Sequence, residues 1–423
     1  MVEIGLSSTK TSKTDTPRSK LRVMEVVSNL DVGGGQEVVR TLVENLAEAG
    51  CSPVVCTFRD GPLREPIERL GIPVEVLPDR SANVLAFPSF LREMLSIRRE
   101  LVNIIQKYEI DVIQTHLLRS LDFLVLTLRF GRELLVFWTF QNAVFDLRED
   151  HLTSHKWLLK PKRFAHRLLY RLGARWVNGF IAVSQDTKTA ILEYLAHVPD
   201  DKVTVIFNSV DVKRYQREVD RDAIRRQLGV ADSDHVVAVV ATFKKQKGHC
   251  FLIEAASTVV QQIPNLHILF IGDGELREEL LTQTKSLGLE RNIHFLGTRQ
   301  DVPDLLAASD FFILPSLWEG LSMALVEAMA SQLPVIATDV SGTRQVVVTG
   351  ESGILVPPGV AQQLADAILQ MVSNPKKARA MGIAAKQRVE KHFSAQKQAL
   401  DHIALFEREL KKMNWQPVLS VRR

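Results

Sequence analysis

Two series of short apolar segments, separated by longer segments with helical spacing, most constrain how this chain can fold. The first series comprises "LRVMEVVSNL", "SPVVCTF", "IPVEVLP", "IDVIQTH", "LLVFWTF", "GFIAVS" and "VTVIFN". A polar stretch follows Asn208, and a second series then comprises "HVVAVVATF", "LHILFIG", "NIHFLG", "DFFILPS", "LPVIATD" and "GILVPP". Because strands that alternate with helices form βαβ units, the pattern predicts two α/β domains with mostly parallel sheets.

The length of 423 residues also favours two domains, because a single core rarely grows beyond about 250–300 residues. We assign residues 21–208 to an N-terminal domain and 209–390 to a C-terminal domain. Residues 391–423 are expected to form helices that pack back on the N-terminal domain, and residues 1–20 to form a disordered tail. Two such domains face each other across a cleft, and ligands are expected at the carboxyl ends of the strands.

Composition narrows the class of protein. The net charge of +4 is mild and no nucleic-acid-binding signature is visible, so nucleic acid is not an expected partner. The spacing of the three cysteines, Cys51, Cys56 and Cys250, is not typical of metal ligands. We expect them to be thiols in a reducing compartment. Charged residues interrupt the most apolar stretch, 121–140, and residues 1–20 lack the apolar core of a signal peptide. We therefore expect a cytoplasmic protein without a membrane span.

The segment "PSLWEGLSMALVEAMA", residues 315–330, carries two glutamates eight positions apart, Glu319 and Glu327. It follows the buried strand "DFFILPS", and a helix is expected to begin near Ser322. Free N–H groups at a helix start attract phosphate, and carboxylates accept hydrogen bonds from diols. Phosphate flanked by diols describes a nucleotide sugar. The alternative is that Glu319 is an ordinary loop charge and that Glu327 is a solvated position on a helix.

A second candidate segment is "VVATFKKQKGH", residues 239–249, in which Lys244, Lys245 and Lys247 fall within four positions before Gly248. At the carboxyl end of a strand, such a cluster can neutralise a diphosphate. The alternative is a solvated basic turn.

These segments, in this order, resemble the retaining glycosyltransferases of family 4. Glu319 through Glu327 matches the E-x7-E motif of that family, and residues 239–249 match the strand that carries its basic pair. The segments "FIGDGELREEL" and "TDVSGTRQVVVTGESGILVPPG" match the motifs between and after them. The resemblance implies a GT-B fold, in which two Rossmann-like parallel-sheet domains face a cleft.

The resemblance implies roles for individual residues of the C-terminal domain. Glu319 would bind hydroxyls of the donor sugar, Glu327 the ribose and Lys247 the diphosphate. The arginine of the family is Thr242 here, so Lys244 is expected to supply the missing charge. The remaining donor-binding residues implied are those of the helix start and of the nucleobase side: Gly320, Leu321, Ser322, Met323, Ala324, Gly297, Thr298 and Arg299.

The N-terminal domain contributes fewer matches. In "NLDVGGGQEVV", Gly33, Gly34 and Gly35 follow the first strand and would let backbone approach the donor phosphate. Val38 breaks the G-x-G-x-x-G pattern, which disfavours a dinucleotide oxidoreductase. A plain flexible loop is the alternative.

The resemblance also bears on four further positions. His116, at the end of "DVIQTH", would be a catalytic histidine at the cleft, with a structural histidine as the alternative. Gln141 and Asn142 would line the acceptor side, but Gln141 stands where many relatives have histidine and cannot take a proton. Gln345 stands where relatives often have glutamate.

The implied reaction moves a sugar from a nucleotide diphosphate sugar to an acceptor hydroxyl, with retention and without a cofactor or bound metal. Glu319, Lys247, Lys244 and His116 would be its catalytic residues. Polysaccharide or glycolipid synthesis is the expected setting. The alternatives are a GT-B nucleotide-sugar epimerase, such as a 2-epimerase, and a non-catalytic protein that binds nucleotide sugars.

Residues 151–176, "HLTSHKWLLKPKRFAHRLLYRLGARW", combine seven Lys or Arg with aromatic and leucine residues and contain no acid. A segment of this kind can lie on an anionic membrane surface and offer a sugar or lipid-linked acceptor to the cleft. The alternative is the basic face of an ordinary surface helix.

Overall fold

The computed structural model of the chain contains two parallel β-sheets, one in each half. It describes residues 20–31, 33–78, 87–116, 120–129, 133–141, 159–216 and 218–413. We refer to the seven-stranded sheet with its helices as the N-terminal domain, and to the six-stranded sheet with its helices as the C-terminal domain. The prediction of two parallel-sheet α/β domains is confirmed.

The N-terminal sheet has the strand order β3-β2-β1-β4-β5-β6-β7, and all of its strands are parallel. Each of the seven apolar segments of the first series forms one strand. Their bounds are β1 Arg22–Val27, β2 Ser52–Thr57, β3 Val74–Val76, β4 Val112–Thr115, β5 Leu135–Phe140, β6 Gly179–Ala182 and β7 Val203–Val205.

Helices cover both faces of this sheet, as a buried parallel sheet requires. They are α1 Gly34–Glu48, α2 Arg64–Arg69, α3 Phe87–Lys107, α4 Ser120–Leu126, α5 Leu159–Gly173 and α6 Gln185–Tyr194. Apolar side chains of α3 to α6 share one core with the sheet, and those of α1 and α2 pack on the opposite face.

The C-terminal sheet has the order β10-β9-β8-β11-β12-β13. Its strands are β8 His235–Val240, β9 Leu266–Ile271, β10 Ile293–Gly297, β11 Phe311–Leu314, β12 Val335–Thr338 and β13 Gly353–Val356. Its helices are α7 Arg221–Gln227, α8 His249–Val259, α9 Arg277–Ser286, α10 Val302–Ala308, α11 Met323–Ala330, α12 Ser341–Val346, α13 Ala361–Ser373 and α14 Pro375–His392. The sheet order reverses beside β8, which places a switch point between β8 and β11, where doubly wound sheets bind ligands.

The last helix, α15 Ala395–Lys412, packs against the N-terminal sheet rather than the C-terminal one. The ring of Phe406 lies 5.0 Å from that of Phe137 on β5. The chain thus crosses between the domains twice, and the two crossings are hydrogen-bonded to each other. The Val210 N–H donates to the Phe393 carbonyl and the Ala395 N–H to the Val210 carbonyl, each at 3.0 Å.

The three cysteines are free, and Cys51 and Cys56 are buried. Burial raises the pKa of the Cys51 thiol to about 12, and it raises the pKa of Cys56 as well. No helix within the described residues combines the length and the apolar character needed to cross a membrane.

Candidate active site

The segment 315–330 lies at the carboxyl edge of the C-terminal sheet, beside the switch point. Strand β11 ends at Leu314, the loop 315–322 follows, and α11 begins at Met323. The turn after β8, which carries the lysine cluster, ends at the same edge because the strands are parallel. The two candidate segments that are about 70 residues apart in sequence therefore meet in space.

Glu319 and Lys247 are in direct contact. The Lys247 Nζ lies 2.5 Å from the Glu319 Oε1, and the Ser316 hydroxyl donates to the same oxygen at 2.7 Å. The Glu319 side chain is almost fully buried, whereas the Lys247 ammonium is partly exposed. A buried carboxylate with a cation and a hydroxyl on one oxygen keeps its second oxygen for another donor.

The backbone of the 315–320 loop is held by the lysine turn. The Gln246 backbone carbonyl accepts a hydrogen bond from the Leu317 N–H at 2.7 Å. The Gln246 side-chain amide donates to the Trp318 carbonyl at 2.8 Å. Gly248 has a φ of +64°, and a Cβ there would come within 2.1 Å of the Pro315 carbonyl oxygen. Only glycine fits this position, so the turn and the loop are fixed against each other.

The opposite side of the loop is held by the segment after β12. The Thr338 hydroxyl donates to the Ser316 carbonyl at 2.5 Å, and the Ser341 hydroxyl donates to the Glu319 carbonyl at 3.2 Å. A Cβ at Gly342 would come within 2.0 Å of the Gly320 carbonyl oxygen. Glu319 is thus carried by a loop whose backbone has little freedom to move.

The start of α11 matches the expectation from the sequence. Ser322 is the N-cap residue, and its side chain makes no capping hydrogen bond. Leu321, Met323 and Ala324 flank it at the helix start and are partly buried. The first turn therefore directs backbone N–H groups to the carboxyl edge of the sheet, where an anion is favoured.

Glu327, one turn further along α11, is paired with a tyrosine rather than exposed. The Tyr215 hydroxyl hydrogen-bonds to its carboxylate. Burial raises the pKa of Glu327, while the Tyr215 hydrogen bond and the charge of Arg214 act in the opposite direction. Glu327 is therefore partly buried and paired, unlike an ordinary solvated helix position.

The glycine segment of the N-terminal domain comes close to this part of the C-terminal domain. Gly33 is the N-cap residue of α1, which begins at Gly34, and no neighbouring atom lies within 4 Å of a Cβ placed on Gly35. Glu37, in the first turn of α1, lies 3.9 Å from Arg214, and its charge raises the pKa of Glu327. The start of α1 therefore faces the Glu327 region across the cleft.

Several other predicted residues lie at the same edge of the sheet. Lys244 and Thr242 are both exposed in the turn after β8. Gly297 ends β10 with a φ of +68°, and Thr298 after it is exposed. Arg299 is engaged in an ion pair with Asp301, in which the Arg299 Nε lies 2.7 Å from the Asp301 Oδ1.

On the N-terminal side of the cleft, His116 and Gln141 are neighbours at the ends of β4 and β5. The Gln141 side-chain nitrogen lies 3.4 Å from the His116 Nδ1, and the His116 Nε2 lies 2.8 Å from the carboxylate of Glu25. The Gln141 side-chain oxygen accepts a hydrogen bond from the Asn208 side-chain amide at 2.8 Å. Asn142, the other predicted acceptor-side residue, lies outside the described residues.

Gln345 joins the two domains. Its side-chain oxygen accepts a hydrogen bond from the backbone N–H of Gln185 at 2.7 Å, and its amide nitrogen donates to Asp186 at 2.6 Å. Both partners lie in the first turn of α6 in the N-terminal domain. A glutamate at this position could not donate to Asp186, so the amide suits this contact.

Sequence reasoning missed Glu25, Tyr215 and Ser316. Glu25 is the single acidic residue within the strand "RVMEVV", and that signal could have identified it. Ser316 stands three positions before Glu319, but nothing in its spacing predicts a contact. Tyr215 is over 100 residues from its partner Glu327, and only the fold brings the two together.

Comparison with known families matches both halves of the chain. The family model "Glycosyltransferase Family 4" matches residues 32–214, and the model "Glycosyl transferases group 1" matches residues 220–388. The two matches follow each other along the chain and contain, respectively, the glycine segment and the Glu319 loop.

Relatives that are named as glycosyltransferases match parts of the chain. The chain is 27% identical over 274 residues to a UDP-Gal:alpha-D-GlcNAc-diphosphoundecaprenol alpha-1,3-galactosyltransferase of Escherichia coli, covering 63% of this chain and 67% of that protein. It is 31% identical over 198 residues to a GDP-mannose-dependent monoacylated alpha-(1-6)-phosphatidylinositol monomannoside mannosyltransferase of Corynebacterium glutamicum. That alignment covers 44% of this chain and spans 51% of the length of the relative.

Solved structures share the fold. The complex of Anabaena Alr3699/HepE with UDP superposes with a TM-score of 0.75 at 23% identity, covering 92% of this chain and 100% of that one. WaaG, a glycosyltransferase involved in lipopolysaccharide biosynthesis, superposes with a TM-score of 0.64 at 17% identity, covering 90% and 99% of the two chains. The chain belongs to glycosyltransferase family 4 and has the GT-B fold.

Proposed function

We propose that this glycosyltransferase moves a sugar from a nucleotide diphosphate sugar to an acceptor hydroxyl and retains the anomeric configuration. The observation that carries the proposal is the contact between Lys247 and Glu319 beside the start of α11. It brings a cation, a buried carboxylate and free helix N–H groups to one edge of the sheet. A diphosphate linked to a sugar has the charges and hydroxyls that match these groups.

In the proposed complex, Lys247 and the N–H groups of residues 322–324 bind the diphosphate and stabilise the charge that develops on the leaving group. The Glu319 oxygen that Lys247 and Ser316 leave free accepts hydrogen bonds from donor-sugar hydroxyls. Glu327 accepts from the ribose, and Tyr215 orients its carboxylate. Lys244, exposed in the same turn, adds positive charge in place of the arginine missing at Thr242.

We propose that the leaving phosphate takes the acceptor proton, since none of these side chains is placed as a covalent nucleophile. The anomeric configuration of the first product, followed by proton NMR, tests retention. We also propose that transfer requires no bound metal or cofactor. Undiminished turnover after treatment with EDTA is the expected result, and loss that magnesium restores would contradict it.

For the acceptor, we propose a sugar or lipid-linked sugar in polysaccharide or glycolipid synthesis, at the inner face of a membrane. The relatives named above support this because their names include a diphosphoundecaprenol and a phosphatidylinositol acceptor. On α5 and the turn after it, Leu168, Leu169 and Trp176 are 46%, 53% and 55% exposed. Exposed apolar side chains on a basic segment favour contact with anionic lipid.

Two arginines of the basic segment also have structural roles. The Arg167 Nε donates to the Tyr194 carbonyl at 3.2 Å, and the Arg171 Nε donates to the same carbonyl at 3.4 Å, both at the end of α6. Residues 151–158 of the segment lie outside the described residues. The proposed membrane contact therefore rests on the exposed leucines of α5 as much as on charge.

Sedimentation with vesicles tests the membrane contact. We expect salt-sensitive binding to phosphatidylglycerol vesicles, weak binding to phosphatidylcholine vesicles, and a marked loss in a Leu168→Ser/Leu169→Ser variant. Leu287→Ser, which removes an exposed leucine of the C-terminal domain, is the matched control. Binding that is equal in all variants, or absent from anionic vesicles, would contradict the proposal.

The donor chemistry is tested by slow hydrolysis across UDP-, GDP- and ADP-sugars, with wild type beside Glu319→Ala. We expect one donor to be hydrolysed by wild type and its turnover to fall about 100-fold or more in the variant. Hydrolysis of no donor would favour a non-catalytic binding protein. Conversion of the donor sugar to its epimer without an acceptor would favour the epimerase alternative.

A further inference from the structure

A buried carboxylate, Glu25, lies behind His116 in the middle of the N-terminal sheet. Glu25 is fully buried on β1, and its Oε2 lies 2.8 Å from the His116 Nε2. Its other oxygen has no hydrogen-bond partner among the described residues. A buried carboxylate with few partners lowers stability, so its presence among the buried apolar residues of β1 points to a role beyond packing.

The contact with Glu25 sets the direction of a row of hydrogen bonds. Because a carboxylate only accepts, the His116 Nε2 carries the hydrogen, and the Nδ1 of the neutral ring is then an acceptor. The Gln141 amide nitrogen lies 3.4 Å from that Nδ1, and the Gln141 oxygen accepts from the Asn208 amide at 2.8 Å. Each residue from Asn208 to Glu25 therefore donates to the next.

The row connects the cleft to the crossing between the domains. His116 and Gln141 follow the carboxyl ends of β4 and β5, at the edge that faces the C-terminal domain. Asn208 lies two residues before Val210, where the two crossings are hydrogen-bonded. The neighbouring Ser209 hydroxyl donates to Gln398 of α15 at 2.7 Å.

His402, the other buried imidazole nearby, does not compete for Glu25. Its Nδ1 lies 2.8 Å from the Gln398 carbonyl oxygen, which can only accept, so Nδ1 carries the hydrogen. Its Nε2 then accepts from the Gln114 amide nitrogen, 3.2 Å away. Burial lowers the pKa of His402, which keeps the ring neutral.

We propose that Glu25 is a positioning residue for the acceptor side of the site: it fixes the Nε2–H tautomer of His116 and, through it, the orientation of Gln141 and Asn208. The inference deepens the proposed sugar transfer and rests on it for its consequence in turnover. His116 in this arrangement offers no ring hydrogen to the cleft. His116, which the sequence predicted to be catalytic, is in this proposal itself a positioning residue.

The test is Glu25→Gln, which keeps the size of the side chain but lets an amide nitrogen face His116. The amide can donate to Nε2, which moves the hydrogen to Nδ1 and reverses the row. Long-range proton–nitrogen NMR spectra of histidine-labelled protein report the tautomer, and a His116→Asn variant assigns the signals. Gln114→Met is the matched control, because Gln114 is buried beside Glu25 and its side-chain amide hydrogen-bonds to Thr139 and His402.

We expect the Nε2–H tautomer of His116 in wild type and in Gln114→Met, and its loss in Glu25→Gln. Transfer turnover of Glu25→Gln is expected to fall about tenfold or more, while the dissociation constant of the donor stays within about twofold. An Nδ1–H tautomer in wild type, or unchanged tautomer or turnover in Glu25→Gln, would overturn the inference. If wild type transfers no sugar, the proposed function fails, and the tautomer result alone decides whether Glu25 positions His116.

Discussion

Gln345 of the C-terminal domain donates a hydrogen bond from its amide to the carboxylate of Asp186 in the N-terminal domain, at 2.6 Å. Its oxygen accepts from the neighbouring Gln185 N–H at 2.7 Å, so one side chain satisfies a donor and an acceptor of α6. A carboxylate at position 345 could not donate to Asp186, so the amide is the group that this contact requires. Gln345 thus helps to set how the two halves of the site face each other.

Gln345→Glu is expected to loosen the contact between the domains, because two carboxylates would then face each other. The predicted cost is roughly 1–2 kcal/mol of unfolding free energy, with a larger radius of gyration by small-angle X-ray scattering. Gln362→Glu, which places a carboxylate beside Asp366 on the exposed face of helix α13, is the matched control. Combining Gln345→Glu with Asp186→Asn should restore the compact form, and an unchanged radius in the single variant would contradict the prediction.

Gly248→Ala is expected to disturb the Glu319 loop. The new Cβ would meet the Pro315 carbonyl, and the backbone would be strained by its φ of +64°. Gly288→Ala carries a similar strain at a φ of +68° but meets no neighbouring atom, so it is the control. We expect the control to lose about 1 kcal/mol of stability and to keep donor affinity. Equal donor affinity in the two variants, measured by calorimetry, would show that the loop is not held by this turn.

Donor binding is expected to depend on the Glu327–Tyr215 pair and on pH. Since burial raises the pKa of Glu327, its neutral form appears at a higher pH than for an ordinary glutamate. The ionised form accepts from the ribose, so affinity should fall as the pH decreases, and this loss should begin at a higher pH than for an ordinary glutamate. Tyr215→Phe removes a hydrogen bond that favours the ionised form, which should shift this loss to higher pH.

Tyr108→Phe is the control for that experiment, because the Tyr108 hydroxyl also donates to a carboxylate, Glu75, but in the N-terminal domain. Affinity is measured by calorimetry across the pH range. If Tyr215→Phe and Tyr108→Phe give the same pH profile as wild type, Glu327 has no part in donor binding.

His249, next to the lysine turn, is expected to make the fold sensitive to acid. Both ring nitrogens lack partners among the described residues, and the ring packs edge-on against Phe243 and Phe270. Burial, with a smaller effect of the Lys247 charge, lowers the pKa of His249 from 6.5 to about 4. The folded state therefore binds fewer protons than the unfolded state between these values, and stability is complete above pH 6.5 and decreases below it.

The difference between a pKa of 6.5 and one of about 4 corresponds to a decrease of roughly 3 kcal/mol in the free energy of unfolding at acid pH. His249→Phe should remove this loss, whereas a substitution of the exposed His197 should keep it. Urea unfolding at several pH values measures the difference. A wild type and a His249→Phe variant with parallel pH profiles would contradict the prediction.

The sequence predicted the strands well because apolar runs in a parallel sheet are buried on both faces and leave a local signal. It also predicted the loop position of Glu319, which follows from the end of β11. It could not predict Tyr215 beside Glu327 or Glu25 behind His116, because these contacts join distant segments. The exposed leucines of α5 belong to the basic segment 151–176. The sequence could not predict that they face outward, because this depends on how the helix packs.

The central claim is that Lys247 and the Glu319 loop form the binding site for a nucleotide diphosphate. Calorimetric titration with UDP, GDP and ADP, on wild type, Lys247→Ala and the exposed-lysine control Lys285→Ala, tests it most directly. We predict that one nucleotide binds wild type and the control equally, and binds Lys247→Ala at least about tenfold more weakly, since a hydrogen bond to a charged group contributes roughly 1.5–3 kcal/mol. Equal binding to all three proteins, or no binding of any nucleotide to wild type, would contradict the claim.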